Sequence, residues 1–311
     1  MRAIGGELEQ LDVTYKSSFT DSGRSSLRLF LRGADYREKK FLLPNFFCEV
    51  IEDILKEEGI AYSFYNVFKD LSIDINFIKA SDYDVLYVIN YFGNYADLSR
   101  LKLDEKILLE DNVFLYDFEN MHQAKNWYAF NSFRKVSSLS DGSMIKTNLE
   151  IDDSHILNYP ANFSHIKREA KEIKYKYIHN QMFTQNDYVT KFIEAEKTLE
   201  KQHSIYRISN HSLSQLVASK EQSIREKRYE RVCEMFAENV ISITPTFYSF
   251  AVLYVEDRDA LRKKLRDKDI FLAVHWPQSS QENTLYDNII SLPLFAIYAD
   301  IEFEYMLNEL K

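Results

Sequence analysis

The first third of this chain contains four short apolar runs, and a segment of helical periodicity lies between the first two. The runs with the length of a β-strand are residues 41–43, 61–65, 83–90 and 106–109. Between the first two runs, residues 50–55 place apolar side chains at helical spacing, and Gly59 ends the pattern. Strands that alternate with helices form a mainly parallel sheet that is covered by helices. The sequence therefore predicts an α/β fold for this part of the chain.

The pattern changes in the second half of the chain. Residues 152–204 are rich in Lys, Glu, His and Tyr, which is typical of helices and connections rather than of a sheet core. The runs that follow are helical at 213–237, 257–266 and 301–310, and strand-like at 247–255 and 271–276. For a chain of this length we expect two units. We predict a large α/β domain over residues 1–180, and bridging helices with a small α+β domain over residues 181–311.

Charge and cysteine content argue against several classes of protein. The formal net charge is −9, and nucleic acid as a main partner would require a concentrated positive face. Cys48 and Cys233 are the only cysteines, which is too few for a disulfide framework or a zinc centre built on cysteine alone. The sequence has neither a secretion leader nor an apolar segment long enough to span a membrane. We expect a cytoplasmic protein without a metal site.

Residues 22–26 form a candidate phosphate cradle. Gly23, Arg24 and Ser25 stand at the predicted start of a helix. Backbone amides and hydroxyls at such a position bind phosphate, and the helix dipole favours the negative charge. A plain helix cap is the alternative interpretation. The dinucleotide fingerprint, the phosphate loop and the His-Glu-x-x-His zinc motif are absent from the sequence.

Lys135 and Asp111 are a second candidate pair. A lysine that forms a Schiff base and a carboxylate that keeps a pyridine nitrogen protonated are the two groups that pyridoxal phosphate most needs from a protein. Asp111 follows an apolar run, at the predicted carboxyl end of a strand, where ligands of parallel sheets bind. The aromatic side chains of residues 127–133 would exclude water and lower the pKa of Lys135. Taken singly, Lys135 would be an exposed side chain and Asp111 a polar strand end.

The order of short motifs resembles the DegT/DnrJ/EryC1/StrS family of sugar aminotransferases, which are fold type I pyridoxal phosphate enzymes. The motifs cover most of the chain and lie at residues 4–7, 22–24, 44–48, 90–93, 110–111, 134–135, 141–142, 275–277 and 291–293. Each motif is short, so the specificity lies in their order. The resemblance implies a fold type I transferase, with a mainly parallel sheet covered by helices in the large domain and a small C-terminal α+β domain.

The resemblance also implies roles for individual residues. Lys135 would form the Schiff base with the cofactor aldehyde, and Asp111 would pair with the pyridine nitrogen. Arg24 and Ser25, together with the backbone of Gly23, would hold the cofactor phosphate. These five residues constitute the core of the predicted site.

Five further residues and one missing loop bear on this predicted site. Ser132 would add a hydrogen bond to the phosphate, although it is closer to the lysine than in the usual family pattern. Cys48 occupies the position where many relatives stack an aromatic ring on the cofactor, and Tyr91 or Phe92 could replace that ring. Phe114 stands where many relatives use Gln or His to contact the phenolic oxygen of the cofactor. The Gly-x-Asn-x-Arg loop that reaches into the neighbouring subunit of family members is absent.

The function that the resemblance implies is transamination. A homodimer with its active site at the interface would transfer an amino group, from a donor such as glutamate, to a nucleotide-linked keto sugar in surface polysaccharide synthesis. The departures motivate an alternative from another class, a non-catalytic relative that serves as a binding or assembly protein. Dehydration is a third hypothesis, but dehydrating relatives can replace the lysine by histidine, so Lys135 favours transamination.

Two other groups are interpreted as structural. His275 and Trp276 are expected to close a core, because a lone histidine beside apolar residues usually packs. The basic residues of segment 225–231 are expected to form a solvated helix face.

Overall fold

A seven-stranded sheet organises the first half of the chain. The computed structural model describes residues 15–180, 182–216, 222–276 and 280–311, so the motif at 4–7 and residue 277 lie outside the described residues. The strands are β1 Lys16–Thr20, β2 Lys40–Pro44, β3 Ala61–Tyr65, β4 Val85–Ile89, β5 Ile107–Asn112, β6 Asn126–Asn131 and β7 Ser143–Thr147. Their order in the sheet is β1-β7-β6-β5-β4-β2-β3.

The remaining elements cover this sheet or form the second half of the chain. The helices are α1 Gly23–Gly33, α2 Glu49–Glu57, α3 Ile75–Ala80, α4 Phe133–Val136, α5 Asn162–Asn180, α6 Gln185–Glu200, α7 Asn210–Ser214, α8 Gln222–Met235, α9 Arg258–Arg266, α10 Leu285–Asn288 and α11 Asp300–Glu309. The other strands are β8 Ile156–Pro160, β9 Ile205–Arg207, β10 Phe250–Tyr254 and β11 Ile289–Pro293. Short 3₁₀ helices span Tyr91–Gly93 and Asp153–His155.

The parallel core of the sheet is the predicted one. Strands β2 to β5 coincide with the four apolar runs, and β3–β2–β4–β5–β6 pair in parallel. Every residue of β4 is buried, as expected for a strand covered on both faces. The sheet continues beyond the prediction, since β7 joins β6 and β1 joins β7, both antiparallel. The predicted fold class, α/β with a mainly parallel sheet, is confirmed.

Helix α1 begins where the sequence predicts a cap. The Ser22 hydroxyl accepts a hydrogen bond from the Ser25 amide at 3.3 Å, which satisfies one of the free amides of the first turn. Leu27 and Phe30 are buried on the face of α1 that packs against β6 and β7. The hydroxyl of Tyr128, on β6, donates to the Ser26 carbonyl at 2.8 Å. These contacts fix the amino end of α1 near the carboxyl end of β6.

The C-terminal part of the chain has its own hydrophobic cluster. Strands β10 and β11 pair antiparallel, and residues of α8, α9 and α11 pack with them. The predicted strand at 271–276 is wrong: within the described residues, this segment makes only an isolated bridge, between Ala273 and Ser291. The predicted helix at 213–237 is also wrong in extent, because α7 ends at Ser214 and α8 starts at Gln222. The domain boundary between residues 180 and 181 falls between α5 and α6 and stays a prediction.

The prediction of a solvated basic face on segment 225–231 is wrong for two of its arginines. Arg225 and Arg228 are buried. Arg228 donates to the carbonyl of Tyr298 at 2.7 Å and to Asp300 at 2.8 Å. Arg225 lies between the rings of Phe247 and Phe295 and donates to the Val136 carbonyl in α4 at 3.2 Å. Buried guanidinium groups need such partners, and here they join α8 to the rest of the chain.

A glycine permits a close approach between the two halves of the chain. Gly93, after β4, has a φ of +88°, and a Cβ atom there would lie 2.0 Å from the Phe247 carbonyl oxygen. The Thr246 amide donates to the Gly93 carbonyl at 2.8 Å. Only glycine fits this position, and it places the segment around residue 247 beside the carboxyl end of β4. None of the helices in the described ranges combines the length and apolar character needed to cross a bilayer.

Candidate active site

The carboxyl ends of two adjacent strands deliver the predicted pair of residues. Asp111 is near the end of β5, the central strand of the sheet. Lys135 lies on α4, which follows β6 after Ser132 alone. Because β5 and β6 are parallel neighbours, both residues reach the same edge of the sheet. The charges of Lys135 and Asp111 influence each other's pKa, so the structure brings the two together.

The Asp111 carboxylate is held from two sides. The Tyr87 hydroxyl donates to Oδ2 at 2.9 Å, and the Val113 amide donates to Oδ1 at 3.0 Å. Burial, the largest influence, raises the pKa of Asp111 to about 6, while the Tyr87 hydrogen bond and the charge of Lys135 act in the opposite direction. Each carboxylate oxygen keeps a free lone pair. Asp111 is therefore fixed, ionised at neutral pH and able to accept one more hydrogen bond.

Lys135 carries the reactive amine of the candidate site. Within the described residues its Nζ makes no hydrogen bond or ion pair, and it lies 5.7 Å from the centre of the Phe114 ring and 5.9 Å from that of Trp276. Burial lowers the pKa of Lys135, and the positive charges of Arg134 and Arg24 act in the same direction. A lysine with a lowered pKa keeps more of its amine unprotonated and nucleophilic at neutral pH.

Arg24 brings an unpaired positive charge to the amino end of α1. Its half-buried guanidinium has no hydrogen bond or ion pair among the parts of the chain that the structure describes. Burial lowers the pKa of Arg24, and nearby Arg134 acts in the same direction. Arg134 itself is paired with Glu196 at 2.9 Å, and Lys167 is paired with the same carboxylate at 2.6 Å. The site thus carries excess positive charge at the end where the helix dipole also favours an anion.

The other residues of the predicted phosphate cradle differ in availability. The Gly23 backbone is packed so closely that a Cβ atom would lie 3.2 Å from the Asn131 carbonyl oxygen. The buried Ser25 hydroxyl faces the Ser22 hydroxyl at 3.3 Å and accepts from Gln202 at 3.4 Å. Ser132 is buried at the start of α4, and its side chain makes no capping hydrogen bond. Backbone amides and Arg24 are therefore better placed for an anion than the Ser25 hydroxyl.

A buried carboxyl group lies directly behind this cradle. Asp21 accepts a hydrogen bond from Gln202 at 2.7 Å. Burial raises the pKa of Asp21 to about 7, while the hydrogen bonds from Gln202 and Ser25 act in the opposite direction. The raised pKa of Asp21 weakens the negative charge that this carboxyl group places near the start of α1.

The candidate stacking residues occupy different places. Cys48 is half-buried at the start of α2 and is close enough to Lys135 to influence its pKa. Tyr91 points into the core, where its hydroxyl donates to the Phe46 carbonyl and its ring packs on the Phe46 ring. Phe92 stacks on Phe114, with ring centres 4.5 Å apart. Phe92, Phe114 and Trp276 form an aromatic wall, and the Phe114 and Trp276 rings of this wall lie near the Lys135 amine. Of the two proposed replacements for an aromatic ring at Cys48, Phe92 belongs to this wall.

This aromatic wall includes a histidine from the C-terminal part of the chain. His275 packs edge-on against Phe114 at 4.8 Å, and its Nδ1 lies 3.1 Å from the Ser291 hydroxyl. Trp276 is buried with its ring 5.6 Å from that of Phe114. Burial lowers the pKa of His275, and the charge of Lys135 acts in the same direction. The packing interpretation of residues 275–276 is supported, and the same residues also border the candidate site.

Sequence reasoning missed several residues of the site. From the sequence, Tyr87 is predicted only to lie in a strand. A buried tyrosine hydroxyl needs a hydrogen-bond partner, and in the structure that partner is Asp111. The partnership of Glu196 with Arg134 and Lys167 joins residues that are 29 to 62 positions apart in the chain. No local pattern signals such contacts.

Comparison with known proteins identifies the fold. No protein-family model matches the sequence, and no curated protein matches it. Spr1654 from Streptococcus pneumoniae, in its PMP form, superposes with a TM-score of 0.66 at 14% identity, over 95% of this chain and 87% of that one. DesV from S. venezuelae gives 0.60 at 14% identity, over 94% and 83%. The sugar aminotransferase CalS13 from Micromonospora echinospora gives 0.58 at 13% identity, over 95% and 86%.

The chain therefore has the fold of the fold type I transferases to which sugar aminotransferases belong. A DegT DnrJ EryC1 StrS aminotransferase from Brucella abortus is also similar, with a TM-score of 0.56. The resemblance predicted from the order of the motifs is confirmed at the level of the fold.

The residues of the site fit pyridoxal phosphate. Among the described residues, neither the Lys135 amine nor the Arg24 guanidinium at the start of α1 has a hydrogen-bond or ion-pair partner. Asp111 offers a carboxylate that is oriented by two hydrogen bonds. These are the groups that an aldehyde, a pyridine nitrogen and a phosphate require.

Proposed function

We propose that this protein is a pyridoxal phosphate-dependent aminotransferase that acts on a keto sugar. The observation that carries the proposal is the convergence of three groups with matching chemistry. Lys135 lies on α4, Asp111 on β5 and Arg24 on α1. The charges of Asp111 and Arg24 both influence the pKa of Lys135. A lysine buried only for structural reasons would be expected to have a hydrogen-bond or ion-pair partner, which the Lys135 amine lacks among the described residues.

Each residue has a defined task in this proposal. Lys135 would hold the cofactor covalently and, once displaced by the amino donor, would carry the proton that moves between substrate carbon and cofactor. Asp111 would hold a proton on the ring nitrogen. Arg24 and the first amides of α1 would bind the phosphate. When bound, pyridoxal phosphate supplies an electron sink for the carbon that bears the amino group.

The aromatic wall would keep water away from the reacting centre. Phe92, Phe114 and Trp276 are buried. The Phe114 and Trp276 rings lie within 6 Å of the Lys135 amine, at 5.7 and 5.9 Å, and Phe92 stacks on Phe114. Exclusion of water strengthens every electrostatic interaction within the site. It also lowers the pKa of the Lys135 amine, because burial penalises the charged form.

The substrate class is proposed from the names of the similar structures. CalS13 is a sugar aminotransferase, and DesV was solved with a ketimine intermediate. We infer that the substrate here is a nucleotide-linked keto sugar of surface polysaccharide synthesis, with glutamate as an amino donor. We further propose a cytoplasmic homodimer with the active site at its interface, in which the partner would complete the substrate pocket.

The test is a half-reaction followed in the visible spectrum. Purified protein is loaded with pyridoxal phosphate and mixed with glutamate, and a panel of other amino acids serves for comparison. The proposal expects conversion of the bound cofactor to its pyridoxamine form by at least one donor, and reversal by a nucleotide-linked keto sugar. Retention of cofactor without conversion by any donor would contradict transamination and favour the binding or assembly protein.

A further inference from the structure

Tyr87 differs from the other buried tyrosines in and near the sheet in the group that accepts its hydroxyl hydrogen bond. Its side chain is fully buried in the middle of β4. Tyr65, Tyr91 and Tyr128 each donate their hydroxyl proton to a backbone carbonyl, of Tyr87, Phe46 and Ser26 respectively. Tyr87 instead donates to a carboxylate, the Oδ2 atom of Asp111.

The sheet register explains how the two side chains meet. On the adjacent parallel strands β4 and β5, Tyr87 pairs with Leu109 and Ile89 pairs with Asp111. Side chains two positions apart on a strand share a face, so Tyr87 and Asp111 lie diagonally on the same face of the sheet. The hydroxyl reaches Oδ2 at 2.9 Å, within the range of an O–H···O hydrogen bond.

Tyr87 is itself held in place. The Tyr65 hydroxyl donates to the main-chain carbonyl of Tyr87 at 3.0 Å, and both rings are buried. A phenylalanine would fill the same volume at position 87, so packing alone does not require the hydroxyl. What the hydroxyl adds is a donor aimed at one oxygen of Asp111.

We propose that Tyr87 is a positioning residue for Asp111, which orients the carboxylate and keeps it ionised for its partner in the site. With Oδ2 held by Tyr87 and Oδ1 by the Val113 amide, the carboxylate cannot rotate away from the sheet edge. The inference rests on the proposed function for the identity of that partner, but the effect of Tyr87 on Asp111 does not depend on it.

The charged and titratable groups that influence Asp111 agree with this role. Burial raises the pKa of Asp111 to about 6, and the Tyr87 hydrogen bond is the larger of two opposing side-chain influences, ahead of the charge of Lys135 on α4. Tyr91, just after β4, is also close enough to be influenced by Asp111. Loss of the Tyr87 hydroxyl would therefore raise the pKa of Asp111 further and leave more of the carboxyl protonated at neutral pH.

The experiment compares Tyr87→Phe with Tyr229→Phe. Tyr229 is a buried tyrosine of the C-terminal cluster whose hydroxyl donates to the Ile243 carbonyl. Both substitutions remove one buried hydroxyl, but only Tyr87 contacts the carboxylate, so Tyr229→Phe is the matched control. The titration of the Asp111 carboxyl is followed by carbon NMR in cofactor-free protein, with the signal assigned by its absence in Asp111→Asn. The pH dependence of pyridoxal phosphate affinity is measured on the same variants, and thermal unfolding verifies that each is folded.

We expect the titration midpoint of the Asp111 carboxyl to rise by about one to two pH units in Tyr87→Phe. A shift of this size corresponds to the loss of a hydrogen bond to a charged group. The acidic limb of cofactor binding should move by the same amount, and Tyr229→Phe should move neither. An unchanged midpoint in Tyr87→Phe, or equal shifts in both variants, would overturn the role of Tyr87. Absence of cofactor binding by the unmodified protein would instead overturn the proposed function, while the NMR titration would still decide the inference.

Discussion

The Asp111 end and the Arg24 end of the candidate site differ in whether their charged groups already have hydrogen-bond partners. At the Asp111 end, both oxygens of a buried carboxylate already accept a hydrogen bond, from Tyr87 and from the Val113 amide. At the Arg24 end, a half-buried guanidinium has no partner within the described residues, and the neighbouring Arg134 is paired with Glu196. The first end thus has its partners within the described residues, whereas we propose that a bound anion completes the second.

This difference shows which part of the site the protein organises in advance. A fixed carboxylate controls protonation without any rearrangement at the moment of reaction. A half-buried cation without a direct partner among the described residues favours an anionic ligand, because a contact with an anion offsets the cost of burying its charge. Substitutions at the Asp111 end should therefore affect chemistry, and those at the Arg24 end should affect affinity.

Asp111→Asn should produce the largest change. We expect the rate of amino transfer to fall by about 10²- to 10⁴-fold, the range for groups that control a proton in the reaction, with a smaller change in cofactor affinity. Steady-state kinetics with a donor that loads the unmodified protein would measure it. A loss of affinity with an unchanged rate would place Asp111 among the purely binding residues and break the comparison.

The same substitution should stabilise the cofactor-free protein. Because folding raises the pKa of Asp111 from 3.8 to about 6, the ionised carboxylate opposes folding above pH 6, and this penalty disappears as the pH falls toward 3.8. We expect Asp111→Asn to gain up to about 3 kcal/mol at mildly alkaline pH, and less in acid. Denaturant unfolding at several pH values measures the difference, and a variant that is less stable at alkaline pH would contradict the assignment.

Arg24→Ala should weaken the cofactor without altering the chemistry. Loss of a charge-assisted hydrogen bond corresponds to about a 10- to 100-fold increase in the dissociation constant for pyridoxal phosphate. Arg24→Lys is the matched control, since it keeps the charge and should recover part of the affinity. Cofactor titration measures both variants, and an equal loss in the two would mean that shape rather than charge matters at this position.

Glu196→Gln should have the smallest effect, in the opposite direction. Burial raises the pKa of Glu196, but Arg134, Lys167 and Arg24 outweigh it and lower the pKa to about 2. Removal of this carboxylate leaves the Arg24 end more positive, so cofactor affinity should rise by about two- to fivefold, as for other partly exposed ion pairs. Cofactor titration at low salt would detect the change, and weaker binding would show that Glu196 mainly orients Arg134.

Glu196→Gln should also lower stability slightly at neutral pH. A carboxyl group whose pKa is depressed in the folded state stabilises the protein above its unfolded pKa, which is 4.5 here, and this contribution is lost as the pH falls toward 2. The difference from the unmodified protein should therefore be at most about 1 kcal/mol at neutral pH and should shrink in acid. Urea unfolding at the two pH extremes measures it.

The sequence predicted the parts of the fold and site that depend on local pattern. Strands β2 to β5 are apolar runs, so the place of Asp111 at the carboxyl end of β5 was predictable. Strand β6, which precedes Lys135, was recognised only as an aromatic stretch. Strand β7 was not predicted, because only Met144 and Ile145 of its five residues are apolar and its pairing with β6 and β1 is set by the whole sheet.

The contacts that tune the site depend on tertiary structure. Arg225 and Arg228 were expected to be exposed because basic side chains usually are, yet the packing of α8 buries both. The contact of Tyr87 with Asp111 depends on the register between two strands, which a single sequence does not encode locally. Sequence reasoning thus named the candidate reactive groups and missed the residues that contact them.

The central claim is tested most directly by covalent trapping of the cofactor. Purified protein is incubated with pyridoxal phosphate, reduced with borohydride, digested and analysed by mass spectrometry, with Lys135→Ala treated in parallel. The account predicts one cofactor adduct per chain, on the peptide that contains Lys135, and none in the variant. Absence of the adduct from the unmodified protein, or an equal adduct on other lysines in both proteins, would contradict it.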